Sequence, residues 1–175
     1  MRGRDIDNLE LAGKFKCVSV RVETRSRVKF PLDVEKLVKR LLAKIPSEHL
    51  QGLDSILIVD VPSDRPANST RGRYLPKSGK LNPARIEIAP QVIYRGVPRT
   101  LFRLPFICEF MLANVLYHEI GHHHQQFIHG VSKHRAERFA EKYKREMIRK
   151  AFFWWRIFLL PIASLVRRLR EKSGK

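Results

Sequence analysis

His118 and His122 stand four residues apart, with Glu119 directly after the first, in the run Tyr117-His118-Glu119-Ile120-Gly121-His122-His123. On a helix, residues four apart lie one turn above another on the same face. Two imidazoles so placed can converge on one zinc ion, and the neighbouring carboxylate can take a proton from water that the zinc has acidified. The setting favours this over a chance pattern. Phe106, Ile107, Phe110, Met111, Leu112, Val115 and Leu116 precede the motif with helical, apolar periodicity. A buried His and Glu need partners, because an unpaired charge in a core costs several kcal/mol. His123 and His124 extend the cluster and are read as solvent-facing or as adventitious metal binders, without a catalytic role.

The third ligand decides the kind of site. Metzincins place a Gly three residues after the second His and a His six after it. Here those positions hold Gln125 and Ile128, and His129 is one residue out of register. A Glu on the following helix is the other source. His129-Gly130 reads as a helix stop and Ser132 as a cap for a helix over Lys133–Tyr143, with Ala136, Phe139, Ala140 and Tyr143 on a small and aromatic face. Glu137 lies fifteen residues after His122. H-E-I-G-H followed by E-R-F-A-E resembles the gluzincin class of zinc metallopeptidases, and Arg138-Phe139-Ala140 also resembles the ImmA/IrrE-like group. The resemblance covers about residues 100–145. It implies Glu137 as third zinc ligand, Glu119 as general base, Glu141 as the acid behind a ligand histidine, and a zincin-like fold. The interval before Glu137 is shorter than in ImmA/IrrE relatives, and Glu141 stands where an Asp is usual. A solvated charge on a basic helix remains the other reading of Glu137.

The chain has 175 residues, 43% of them hydrophobic, which suits one domain with an ordinary core. The net charge of +18 favours polyanionic partners, but it is spread along the chain and no nucleic-acid motif accompanies it. Cys17 and Cys108 form no disulfide framework, and Met1–Asp7 has no apolar stretch like that of a secretory leader. Both point to a cytoplasmic setting.

Other elements must position the motif. Phe15–Val22 alternates like a strand, after a lead-in over 1–13. Leu32–Ile45 is an amphipathic helix, with Asp33 as its cap and Pro46 as its stop. Ser55–Val61 is an unbroken apolar run expected at the centre of a sheet. Between Pro62 and Pro83, Arg71–Leu75 is a possible strand, and Arg85–Ala89 is another. By the zincin resemblance an edge strand beside the zinc helix pairs with the substrate backbone. Arg85, Ile86, Glu87 and Ile88 are the candidate for that edge. Tyr74 is a candidate oxyanion donor that the sequence does not separate from surface packing. Pro105 is expected in the first turn of the zinc helix.

Residues 151–175 are expected to form an apolar and basic C-terminal helix beyond an expected metallopeptidase domain over 1–150. Arg156 and Pro161 interrupt the apolar run, which falls short of a bilayer span. Trp154, Trp155 and flanking Lys150, Arg167 and Arg168 suit either packing within the fold or docking of 151–170 on an anionic membrane surface, placing the protein at the inner face of the membrane. The expectation is therefore an α+β, zincin-like single domain that uses Zn2+ to hydrolyse a protein or peptide substrate. The alternative is a non-catalytic basic module on nucleic acid or an anionic membrane.

Overall fold

A computed structural model describes residues 20–62, 70–78, 82–128 and 133–153. Among these residues it is an α+β arrangement of a four-stranded mixed sheet and four α-helices. The strands are β1 (Arg21–Thr24), β2 (Leu53–Ile58), β3 (Gly72–Leu75) and β4 (Ala84–Ile88), in the order β1-β2-β4-β3. β1, β2 and β4 run parallel, and β3 returns antiparallel to β4. β2 is interior, as its unbroken apolar sequence requires, and Ile56, Ile58, Ile86 and Ile88 are fully or almost fully buried in the core.

The strand expected over Phe15–Val22 overlaps β1 only at Arg21 and Val22; Phe15–Ser19 lie outside the described residues. The amphipathic helix is α1 (Val34–Leu42), shorter than its apolar period, because a final tight turn carries the chain on to Pro46. Asp33 caps it by accepting the Lys36 backbone N–H at 2.9 Å. α2 (Pro90–Ile93) is a single turn.

α3 (Pro105–Ile128) is the hub of the fold, touching α1, α2, α4, β3 and β4. It begins at the expected proline, whose missing N–H costs nothing in a first turn. Its apolar residues surround most of the helix, so it must be covered on most sides. Where α1 crosses it, buried Glu109 accepts from Lys44 Nζ at 2.9 Å and Arg40 Nη1 at 3.4 Å, which compensates a charge in the core. Tyr117 donates its hydroxyl to the Leu41 carbonyl at 3.4 Å.

α4 (Lys133–Ala151) packs along α3. The face expected from Ala136, Phe139, Ala140 and Tyr143 is the one that turns inward: Ala140 is fully buried and Tyr143 nearly so. The crossing is close because Gly121 has no side chain. A Cβ there would lie 2.8 Å from Ala140 Cα. α4 also crosses the expected boundary at residue 150. Beyond it Phe152 is buried against Phe110, ring centroids 5.5 Å apart, with Lys44 Nζ 5.0 Å from its centroid. The helix stop at His129-Gly130, the Ser132 cap and most of the 151–170 segment fall outside the described residues. Among the described residues no helix is long and apolar enough to cross a membrane.

Candidate metal centre

α3 brings His118 and His122 to one face, and the close Gly121–Ala140 crossing brings Glu137 of α4 to the same point. His118 Nε2 lies 3.2 Å from His122 Nε2 and 3.2 Å from Glu137 Oε1, and His122 Nε2 lies 3.3 Å from Glu137 Oε2. For zinc bound at about 2.0–2.1 Å, tetrahedral geometry separates donor atoms by roughly 3.3–3.4 Å. The three residues therefore fit such an ion in both donor type and spacing. Burial, and next the neighbouring His118, hold the His122 pKa below its ordinary value, against the opposing pull of Glu137. A neutral imidazole is the form that ligates a metal.

Glu141 lies one turn beyond Glu137, with its Oε2 3.8 Å from His118 Nδ1. That is an ion-pair distance rather than a hydrogen bond. Its carboxylate is engaged by Lys144 Nζ at 2.6 Å and Arg145 Nε at 3.3 Å. The Lys144 hydrogen bond is the main reason its pKa sits below the ordinary carboxylate range.

Glu119 lies beside this cluster, on a cleft it shares with His118 and Glu137. It is 9% exposed and is not one of the three clustered donors. Burial pushes its carboxyl up to about 7, the backbone N–H of Tyr74 pulls it down, and Glu137 adds a smaller upward push. The Tyr74 bond follows from strand register. The Ala89 N–H reaches the Arg71 carbonyl at 2.9 Å, and Gly72 and Tyr74 lie opposite Ile88 and Ile86. In an antiparallel pair, main-chain groups alternate toward and away from the neighbour, so those of Gly72 and Tyr74 turn away from β4. The glycine permits the approach of β3 to α3: a Cβ on Gly72 would lie 2.5 Å from Val115 Cγ1 and 3.2 Å from Glu119 Cγ.

The expected substrate edge at Arg85–Ile88 is corrected by this arrangement. β4 is bonded on both sides, to β2 and β3, and has no free edge. Ile86 and Ile88 are core residues, and buried Glu87 has Oε1 3.5 Å from Arg85 Nε. Among the described residues the edge beside the metal centre is β3. Thr70, Arg71 and Gly72 join His118, Glu119, Glu137 and Lys144 around a cleft of about 690 Å³, with Ile93, Phe110 and Met111 as an apolar wall.

Of the two further histidines, His123 is buried and His124 is half-buried. His123 is 1% exposed, with Nε2 2.9 Å from the Gln51 carbonyl and Nδ1 3.3 Å from the Tyr74 hydroxyl. A carbonyl only accepts, so Nε2 carries the proton and Tyr74 donates to Nδ1. Tyr74 thus holds β3 on α3 by its hydroxyl, and an oxyanion role for that group is not what the structure shows. His124 packs among the rings of His49, Phe139 and Tyr143, with centroids 4.3, 5.9 and 5.7 Å away. The sequence signal for both positions was the nearly all-round apolar character of α3, which leaves little solvent face. No family model, curated protein or solved structure matches the chain.

Proposed function

We propose that the protein is a zinc-dependent peptidase with a zincin-like site, in which His118, His122 and Glu137 hold the metal and Glu119 is the general base. The observation that carries the reading is the donor triangle of 3.2, 3.2 and 3.3 Å beside a buried carboxyl that is not one of its members. The ion would supply acidity to a water molecule and polarise the scissile carbonyl. Glu119 would take the proton from the water as the water oxygen bonds the carbonyl carbon, and would pass that proton to the amide nitrogen as the C–N bond breaks, so that the amine leaves neutral. In the metal-free protein burial raises its carboxyl to about 7. The Tyr74 N–H aims the carboxylate from the side of β3. Gly72 lines the cleft with main-chain groups turned away from β4, and these can pair with an extended peptide laid along the edge.

The test is metal content by mass spectrometry on protein purified without chelators or a histidine tag. Wild type should carry about one zinc per chain, Glu137→Ala should lose or weaken it, and Glu119→Gln should retain it while losing peptidase turnover. A wild type that takes up no zinc on reconstitution removes the metallopeptidase reading. Full turnover by Glu119→Gln removes the assigned base.

A further inference from the structure

The face of α4 opposite α3 carries Arg135, Arg138, Lys142, Arg145 and Arg149, all exposed. Their spacing of three, four, three and four residues makes one stripe, roughly 21 Å long at 1.5 Å per residue. Glu141 and Glu146 flank it, and Glu146 is paired with Lys150 Nζ at 2.8 Å. Among the described residues only Arg145 of the stripe forms an ion pair, with Glu141 at 3.3 Å. Several exposed cations elsewhere on the fold are matched: Arg21 with Asp54 at 2.6 Å, Arg25 with Glu23 at 3.0 Å and Lys39 with Glu35 at 2.6 Å. Four residues after Arg149, Phe153 is 52% exposed, and the sequence continues Trp154-Trp155-Arg156.

From this geometry we infer that α4 docks the protein on a lipid bilayer bearing anionic headgroups. The four arginines and the lysine of the stripe reach the headgroup phosphates, and the exposed aromatic at its end enters the boundary with the acyl chains. A nucleic-acid duplex would use the cations but not that apolar end. At 100° per residue Glu137 lies roughly 110° round the helix from the centre of the stripe. The metal cleft therefore stays open beside the surface when α4 lies on it. The inference does not depend on the cleft being catalytic.

The experiment is co-sedimentation of the full chain with phosphatidylcholine vesicles containing about 30% phosphatidylglycerol, and with phosphatidylcholine alone. Arg138→Gln/Lys142→Gln/Arg149→Gln is compared with a control of equal charge loss elsewhere, Arg27→Gln/Lys29→Gln/Lys36→Gln, with thermal melts verifying both folds. The wild type should bind only the anionic vesicles. The stripe variant should bind about a hundredfold more weakly, at about fivefold per cation, and the control should bind nearly as wild type. If the triple variant does not fold, Arg138→Gln alone should show the fivefold loss. Equal loss in the control, unchanged binding by the stripe variant, or no vesicle binding by the wild type would each overturn the inference. So would a stripe variant that loses a short DNA duplex while keeping the vesicles, which would assign the face to nucleic acid.

Discussion

Gly121→Ala tests whether the α3–α4 crossing sets the metal triangle. The added Cβ would stand 2.8 Å from Ala140 Cα and 3.2 Å from its Cβ and carbonyl oxygen. These are main-chain and Cβ atoms, which no rotamer change can move aside. Ordinary contact begins near 3.4 Å, so the helices must separate by about 0.6 Å at that point. Glu137 is less than one turn before Ala140 on the same helix, and it moves with the backbone. Its oxygens now lie 3.2 and 3.3 Å from the two histidine nitrogens. A zinc site tolerates about 0.2 Å in its ligand distances, so the displacement should weaken zinc roughly 10- to 100-fold. Overpacking costs about 1–3 kcal/mol, offset by about 1 kcal/mol from the better helix former, leaving a net loss of stability of up to about 2 kcal/mol. Gly96→Ala is the control. Its φ of +76 strains an alanine, nothing lies within 4 Å, and zinc affinity should not change. The assay is competition against a chromogenic zinc chelator, with thermal melts of each variant. A folded Gly121→Ala protein with wild-type zinc affinity would refute the reasoning.

Two other outcomes follow from the same geometry. His123→Leu leaves the Gln51 carbonyl and the Tyr74 hydroxyl without their buried partner and should cost about 2–4 kcal/mol in a denaturant melt. Zinc stoichiometry should stay near one, since His123 faces β3 rather than the ligands; loss of the metal would overturn that assignment. In metal-free protein, Glu119 holds its proton in the folded state up to about pH 7, whereas the unfolded chain releases it in the ordinary carboxylate range. The folded state then binds more protons across that window, so stability falls as pH rises through it, by about 3 kcal/mol at about 1.4 kcal/mol per unit. His122 and His123 work in the opposite direction at low pH, because burial lowers both. The stability difference between wild type and Glu119→Gln isolates the carboxyl, and a difference flat from pH 4 to 8 would contradict its burial.

Much of this architecture is written locally in the sequence. Asp33 caps α1, Pro105 opens α3, and Ala136, Phe139, Ala140 and Tyr143 mark the face of α4 that packs. Each is a matter of helical period or backbone chemistry within a few residues. The α+β class could be read the same way. Sheet order could not. Arg85–Ile88 precedes α3 closely in sequence, which made it the expected edge, yet the chain places β3 outside it by reversing direction. Nothing within either strand encodes that choice; it depends on which partners their edges find. Gly72 was the available clue, since a glycine inside a strand often marks a close approach. His123 was misread for a different reason. One residue past His122 is a rotation of 100°, which on a helix covered nearly all round turns the ring into the protein and not into water.

The candidate centre depends on two missing side chains as much as on the four polar ones. Gly121 lets α4 approach until Glu137 meets both histidines, and Gly72 lets β3 approach until the Tyr74 N–H meets Glu119. The two approaches come from different sides of α3 and meet consecutive residues, His118 and Glu119. A carboxyl between them is dry on account of the packing, yet still receives one main-chain hydrogen bond. Burial alone would favour the protonated form, and the N–H favours the ionised one. In the metal-free protein the balance, with a smaller upward push from Glu137, puts its pKa near 7. Substituting either glycine should therefore disturb one part of the proposed centre and spare the other at first: Gly121→Ala the zinc affinity, Gly72→Ala the titration of Glu119.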